Sequence, residues 1–403
     1  MSEDSILESR KNYQRNKMMN IIRSHKNISR NDVKKISAYS MTTVLSNVNE
    51  MIEDGFVIEE ECDDSRVGRK PIWLKINPDG GYFIGVEFNR NRIHCVVLDF
   101  TGVVIHKQAI EIDSKSKNSK KILIFIKSII SGAFDFLEEK RDKVIGIGIG
   151  VPGYNDIKNG ISISYNHIKG WENIPVKSII EKEYHIPCYM DNNVNVMIYA
   201  YKWLIYNGHC EDMLFVSIRT GARVMPIINN QPVSSTCGFP GELGHVRIRG
   251  GSRLCACGRY GCLNSEISDV AIVNKILDGI RLGRFREINE QNKEITMQSF
   301  ITSVLNGDAD SIKLEKQIAK YLGETLGMLV NIFAPKHVVL YGDLMEIGEL
   351  FLEDVRQWVD FSTIEENIRE LNISASQFDR HLGAMGAASL VMQEAFPFAE
   401  EKM

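Results

Sequence analysis

Apolar positions at the front of the chain recur at helical spacing in three short segments. Met18, Met19, Ile21 and Ile22 predict a helix over Asn16 to Ser24. Val33 and Ile36 predict a second, shorter one, for which Ser29 is a suitable N-cap. After a polar turn at Ser37 to Tyr39, Ser40 opens a third helix that runs to about Asp54. Its apolar stripe is Val44, Leu45, Val48, Met51 and Ile52, and the opposite face shows Thr42, Thr43, Ser46, Asn47 and Glu50. Gly55 supplies the stop.

The period then changes from helix to strand. Phe56-Val57-Ile58 and Ile72-Trp73-Leu74-Lys75-Ile76 read as the arms of a hairpin, with Arg66-Val67-Gly68-Arg69-Lys70-Pro71 between them. Three short helices followed by a hairpin predict a winged helix-turn-helix, whose third helix enters the major groove of DNA. Ser40, Thr42, Thr43, Ser46 and Asn47 are then the candidate base-contacting residues. A glycine flanked by cations and stopped by proline fits a minor groove, which makes Arg66, Arg69 and Lys70 the candidate wing contacts. A helical adaptor with a basic loop is the alternative.

From Gly81 onward strands alternate with helices, the signature of an α/β fold. Tyr82 to Phe88 and Ile93 to Asp99 pair about a turn at Thr101-Gly102, Lys120 to Lys140 is an amphipathic helix, and Val144 to Ile149 is a buried strand. Similar strand-rich openings near Tyr82 and Met213 suggest two related lobes.

Charge supports the division of labour. The chain of 403 residues has a formal net charge of −4, yet Arg10 to Ser40 holds nine Lys/Arg against the single acid Asp32. Such a segment points to a polyanion partner or to a solvated charge run, and its place before the third helix favours DNA. No run approaches the ~18 apolar residues of a membrane span, and the polar Met1 to Asn20 lacks a signal-peptide pattern. The expectation is a cytoplasmic protein with no membrane partner.

The most specific chemistry lies in His245 and Cys255-Ala256-Cys257-Gly258-Arg259-Tyr260-Gly261-Cys262, spaced His-x9-Cys-x-Cys-x4-Cys. One imidazole and three thiolates form a closed tetrahedral set suited to structural Zn2+ with no open position for water. Reduced core cysteines are the alternative. Together with Gly241-Glu242-Leu243-Gly244-His245, this segment resembles the signature of the ROK family of sugar kinases and sugar-responsive repressors. Val151-Pro152-Gly153, Asn166, Gly170-Trp171-Glu172-Asn173, Asp191-Asn192-Asn193-Val194-Asn195 and Gly383-Ala384-Met385-Gly386-Ala387-Ala388 resemble further landmarks in family order. The resemblance implies an actin/hexokinase-like (ribonuclease H-like) pair of α/β lobes with sugar in the cleft. It assigns Gly153, Asn166, Asn192, Asn193, Glu242 and His245 to the sugar, His245 also to zinc. The Gly-Arg-Lys-Pro wing is similar to the repressor branch.

Departures from the kinase pattern bear on activity. A sugar kinase cradles phosphate on glycine-rich backbone and needs a carboxylate base. The family's Asp-x-Gly-Gly-Thr-type turn corresponds to Glu87-Phe88-Asn89-Arg90-Asn91, and its second glycine-rich turn to Arg219-Thr220-Gly221-Ala222-Arg223. The catalytic aspartate position holds Asn193, whose amide cannot accept a proton. Asp191 sits two residues earlier, roughly 6–7 Å away in an extended segment. The family's sugar-binding glutamate after the last cysteine is Asn264 here, which the resemblance makes a further candidate sugar contact, with Glu266 close by.

The expected domains are 1–78 (winged helix), 79–190 (first lobe) and 191–403 (second lobe with zinc loop and oligomer interface). The expected function is a non-enzymatic, sugar-responsive repressor, a dimer or tetramer on operator DNA with a sugar inducer. An ATP-dependent sugar kinase is the alternative, and a scaffold that docks a sugar-transport protein is a third reading. The sugar, the operator and repression versus activation stay open.

Overall fold

The computed structural model describes residues 3–61, 72–113, 116–233, 240–291 and 294–398, with backbone alone for 3–10 and 291. Two units emerge: residues 1–209 with 380–403, and residues 210–379.

The first unit begins with α1 (Glu3–Ser24), α2 (Arg30–Ser37) and α3 (Met41–Glu53), followed by the antiparallel pair β1 (Val57–Glu61) and β2 (Ile72–Ile76). Met18, Met19, Ile22, Val33, Val44, Val48, Met51 and Leu74 are buried and form the centre of this head. Both helix starts are capped: the Ser29 and Asp32 side chains form a reciprocal capping box, and Ser40 Oγ accepts from Thr43 N. Two assignments of core residues are corrected. Ile36 and Leu45 are 47% and 40% exposed, because each lies to the side of the buried row of its helix, Val33 and Ser37 on α2 and Val44, Val48 and Met51 on α3. The first helix also extends well upstream of Asn16.

The first lobe follows with β3 (Tyr82–Phe88), β4 (Arg92–Asp99), β5 (Val104–Glu111), α4 (Ser119–Leu137), β6 (Val144–Val151), β7 (Tyr154–Asp156), β8 (Ile161–Ser164), β9 (Glu172–Ile174), α5 (Val176–Tyr184), β10 (Cys188–Asn192) and α6 (Asn195–Ala200). Its main sheet has the order β10-β6-β3-β4-β5, with β3 antiparallel to β4 and parallel to β6.

The second unit holds β11 (Met213–Ile218), β12 (Ala222–Ile228), β13 (Gln231–Pro232), α7 (Asn264–Ile267), α8 (Asp269–Arg281), α9 (Arg286–Gln291), α10 (Met297–Leu305), α11 (Ala309–Phe333), β14 (His337–Tyr341), α12 (Glu349–Ser362), α13 (Glu365–Ile368) and β15 (Asn372–Ala375). Its sheet, β13-β12-β11-β14-β15, repeats the first: an antiparallel meander with two parallel strands added beside its first strand. The two strand-rich openings thus begin two lobes of one topology.

The last helix, α14 (Leu382–Ala395), returns to the first unit. A Cβ on Gly148 would lie 1.8 Å from Ala387 O and one on Gly85 2.0 Å from Ala384 O, so bare strand backbone is what lets α14 lie on β3 and β6. The Gly383 to Ala388 landmark is a packing surface. The linear boundary at 191 differs from the observed division at 210 for this reason: β10 and α6 stay with the first sheet, and the C-terminal helix completes it.

Candidate functional site

In the second unit, β11 and β12 turn through Arg219 to Gly221, and the chain then reaches the motif Gly241 to His245. Gly241 is at φ +85°, and a Cβ there would meet Val224 O at 1.9 Å, so only glycine fits against β12. Arg223 pairs with Glu242 at 3.3 Å and also donates to Pro240 O at 3.1 Å. This fixes the loop that carries Glu242.

His245 links two sets of groups. Its Nε2 lies 3.9 Å from Glu242 Oε2, while its Nδ1 lies 3.8 Å from Cys255 Sγ. The Cys257 and Cys262 sulfurs are 3.7 Å apart, and the ligand atoms of His245, Cys255, Cys257 and Cys262 all fall within 4.8 Å of one another. Sulfurs on a tetrahedral metal with ~2.3 Å bonds stand roughly 3.8 Å apart, so the donor set fits a bound metal. Backbone prepares the cluster: Cys255 N donates to Arg259 O, and Gly258 and Gly261 turn at φ +84° and +79°. The sulfurs differ in charge preference. A backbone hydrogen bond at Arg259 holds Cys257 below the usual thiol range, and burial pushes Cys262 up to about 12.

Asn264 turns inward. Its Oδ1 accepts from Ala222 N at 2.6 Å and packs beside Gly244, bracing the start of β12. Glu266, two residues on, is buried and paired with Lys275 at 2.7 Å. It therefore does not take the place of the family's sugar-binding glutamate.

In the first unit, Gly153 sits at φ +79°, with its O accepting from Asn192 Nδ2 at 3.3 Å. Asn166 is exposed in the loop after β8. Trp171, 1% exposed, holds that loop: its O accepts from Tyr165 N, its Nε1 donates to Ser162 Oγ at 2.8 Å, and its ring meets Phe88 edge-on. Asn192 and Asn193 are both buried at the end of β10. Asn193 Nδ2 donates to Glu87 Oε1 at 3.0 Å, so the residue in the base position is bound to a carboxylate on β3, the strand beyond β6 in the same sheet. Asp191 is engaged by Asn195 Nδ2 at 3.0 Å.

The phosphate turns are filled by the chain itself. Asn89 Oδ1 accepts from Asn91 N at 2.9 Å and Arg92 N at 3.1 Å, the amides that a phosphate would need. In the second turn Arg219 N donates to Gly221 O, and Asp269 N donates to Arg219 O. Burial, reinforced by Asp343, pushes the Asp269 carboxyl up to about 7.

At the head, Ser40 and Thr43 hydroxyls meet at 2.8 Å at the start of α3, and Thr42 and Ser46 are exposed beside them. Asn47 is a correction: it is 4% exposed and donates to Thr43 O at 2.9 Å, because its position on the helix faces the head's core. Leu45 and Asn49 are exposed where Asn47 was expected, and Asn49 Oδ1 accepts from Arg30 at 2.7 Å. Exposure of a leucine has no polarity signature, which is why the pattern missed it. Arg66, Arg69 and Lys70 lie outside the described residues.

Head and first lobe are joined by an aromatic seam. Phe56 stacks on Phe100 at 4.8 Å, and Phe396 meets both rings edge-on. The Arg23 guanidinium of α1 lies 5.5 Å from the Phe100 ring and 5.1 Å from the Trp203 ring. Its nitrogens have no hydrogen-bond partner among the described residues. Burial lowers its pKa to about 10, opposed by Asp99. Trp203 belongs to a π-helical turn, Tyr201–Ile205, that continues directly from α6 and hence from Asn192 and Asn193.

With this geometry in hand, the family model described as the ROK family matches residues 83–394. The chain belongs to the ROK family. A xylose repressor of Caldicellulosiruptor bescii is 29% identical over 385 residues, covering 95% of this chain and 96% of the relative. The solved structure of a ROK family transcriptional regulator, a homolog of the Escherichia coli MLC protein, superposes with a TM-score of 0.83 at 21% identity, covering 96% and 97%. A ROK family glucokinase from Streptomyces griseus, in complex with glucose and AMPPNP, gives a TM-score of 0.67 at 24% identity and covers 78% of this chain and 100% of its own. The kinase thus matches in full while leaving about a fifth of this ROK chain unmatched. The expected actin/hexokinase-like fold stands. Among the described residues no helix is long and apolar enough to cross a membrane.

Proposed function

We infer that this ROK protein is a sugar-responsive, DNA-binding transcriptional repressor without kinase activity. The Asn193–Glu87 hydrogen bond carries the reading. It puts a neutral amide in the base position and supplies the carboxylate partner that makes an aspartate there unfavourable. The filled turn at Asn89 and the likeness to a xylose repressor along nearly the whole chain point the same way.

Operator DNA is read by the exposed start of α3, through Ser40, Thr42, Thr43 and Ser46, with Arg66, Arg69 and Lys70 as proposed wing contacts. In the first unit Gly153, Asn166, Asn192 and Asn193 are the proposed sugar contacts. In the second, Glu242 and His245 are, with Asn264 bracing their loop. The metal of the His245, Cys255, Cys257 and Cys262 set is assigned as structural Zn2+, which orders the segment that presents Glu242. The chain acts in the cytoplasm as a homo-oligomer, dimer or tetramer, on a two-fold operator. A sugar-transport component is a further proposed partner of the body.

The signal reaches the head within the first unit. Sugar at Asn192 and Asn193 biases the register of α6 and its π turn, a helix irregularity frequent at functional sites. Trp203 then shifts against Arg23 and α1. Selection of bound fragments from random DNA should return a two-fold repeat, and one sugar of an aldose and amino-sugar panel should release it. Failure to enrich any sequence, or ATP-dependent phosphorylation of a sugar, overturns the reading.

A further inference from the structure

The second unit contains a cavity of about 260 Å³ that none of the sites above uses. Arg253, Lys275, Arg284 and Lys313 line it, against only two carboxylates, Glu266 and Asp310. On a chain of net charge −4, that is a local excess of positive charge.

The pairing of these groups decides what the cavity can hold. Lys275 is committed: its Nζ meets Glu266 Oε2 at 2.7 Å and Glu266 O at 3.0 Å, and burial lowers its pKa. Arg253 shares Asp278 at 3.0 Å but keeps a partly open guanidinium. Asp310 is occupied by Phe285 N at 2.9 Å. Arg284 and Lys313 have no carboxylate within 4.0 Å among the described residues, and both are exposed at the mouth. Two unpaired cations and one half-paired guanidinium around a single opening form an anion site, and the arginine fork matches phosphate oxygens in a bidentate way.

The remaining wall is chosen for something larger than the anion. The rings of Phe285 and Tyr321 supply flat apolar surface, while the Gln317 amide, which donates to Tyr321 Oη at 3.2 Å, and the Ser252 hydroxyl supply polar partners. A cavity of this size sits just under the ~300 Å³ where ordinary ligand pockets begin, so the occupant is a small metabolite. We propose that this cavity binds a phosphate monoester of sugar size, with its phosphate at Arg253, Arg284 and Lys313. The floor connects it to the metal loop: Ser252 N and Arg253 N donate toward Glu266 Oε1 at 3.4 and 3.5 Å, and Cys255 follows two residues later. The site is independent of the sugar contacts proposed above.

The probes are inorganic phosphate, ribose 5-phosphate and ribose, added to the full chain. A ligand that binds the native state raises the melting temperature. Ribose 5-phosphate should raise it by several degrees at millimolar concentration and ribose should not. A rise with inorganic phosphate as well assigns the affinity to the anion, and a rise with the ester alone requires the sugar body too; either supports the site. Arg284→Glu with Lys313→Glu changes exposed side chains only and should weaken the ester at least tenfold. The charge-matched control Lys158→Glu with Lys182→Glu, on the first unit, should leave it unchanged. Three results overturn the proposal: no response to either phosphate compound, a response that survives in the Arg284/Lys313 variant, or an equal loss in the control. Broadening of the ³¹P signal of the ester by the parent chain and its absence with the variant provides a second readout.

Discussion

Replacing Asn193 by aspartate restores the side chain a sugar kinase would use, and its outcome follows from Glu87. In the parent, Asn193 Nδ2 donates to Glu87 Oε1 at 3.0 Å, with the two residues 8% and 1% exposed. Asn193→Asp removes a hydrogen bond to a charged acceptor, a loss of about 1.5–3 kcal/mol. It also sets two carboxylates at that distance, where repulsion at an effective dielectric near 20 is about 5 kcal/mol. The pair relieves this by taking up one proton, so the penalty depends on pH. Native Asn193→Asp binds one more proton than its unfolded chain at neutral pH, and its stability relative to the parent therefore falls as pH rises. Denaturant unfolding at pH 5.5 and pH 8 should show a small deficit at the lower pH and a loss of about 3–5 kcal/mol at the higher. A coupled ADP-release assay with ATP and a sugar panel should stay at background, because the Asn89 side chain still occupies the turn amides. Equal stability of variant and parent at pH 8, or sugar-dependent ADP release, would refute the reasoning.

Metal analysis of the purified chain should find one zinc per chain, and Cys257→Ser should lose it together with the sugar response; full sugar response in metal-free protein contradicts the assignment. Arg23→Met removes a buried guanidinium that has no hydrogen-bond partner among the described residues, so the melting temperature should hold or rise. The sugar concentration needed for operator release should increase about tenfold, which for a coupling free energy is about 1.4 kcal/mol. An unchanged release curve removes the Trp203–Arg23 contact from the signal path. In the second unit burial pushes Asp269 up to about 7 and, with Asp354 nearby, Glu315 up to about 8. Both protons are held in the native state and lost from the unfolded chain above about pH 4, so stability should fall as pH rises from 4 through 8. The ceiling is on the order of 4–5 kcal/mol per group. Asp269→Asn with Glu315→Gln should flatten the profile; an unaltered slope by chemical denaturation at pH 5 and 8 counts against it.

Much of the chemistry was legible along the chain because it is local. The spacing from His245 to Cys262 brings four ligand atoms within 4.8 Å through turns that Gly258 and Gly261 permit, and nothing distant is needed. Capping at Ser29 and Ser40 is likewise decided within four residues. The change of period near Gly81 marked the α/β body, and the repeated opening at Met213 marked its second lobe.

Tertiary structure decided whatever depends on which neighbour a side chain meets. Polarity alone placed Asn47 on the exposed face of α3 and Leu45 in the core, yet the packing of three short helices reverses both. That α14 belongs with the first sheet depends on bare glycine backbone at Gly85 and Gly148, contacts some 240–300 residues apart in sequence. The sequence showed that Asn193 is no base. Only the fold brings Glu87, 106 positions away, to its amide, and hydrogen bonding across strands is what turns a missing carboxylate into a site that disfavours one. The Arg23 seam belongs to the same class: a cation between the Phe100 and Trp203 rings, from two separate segments, has no signature in the linear pattern, because burial of charge is a property of the packed chain.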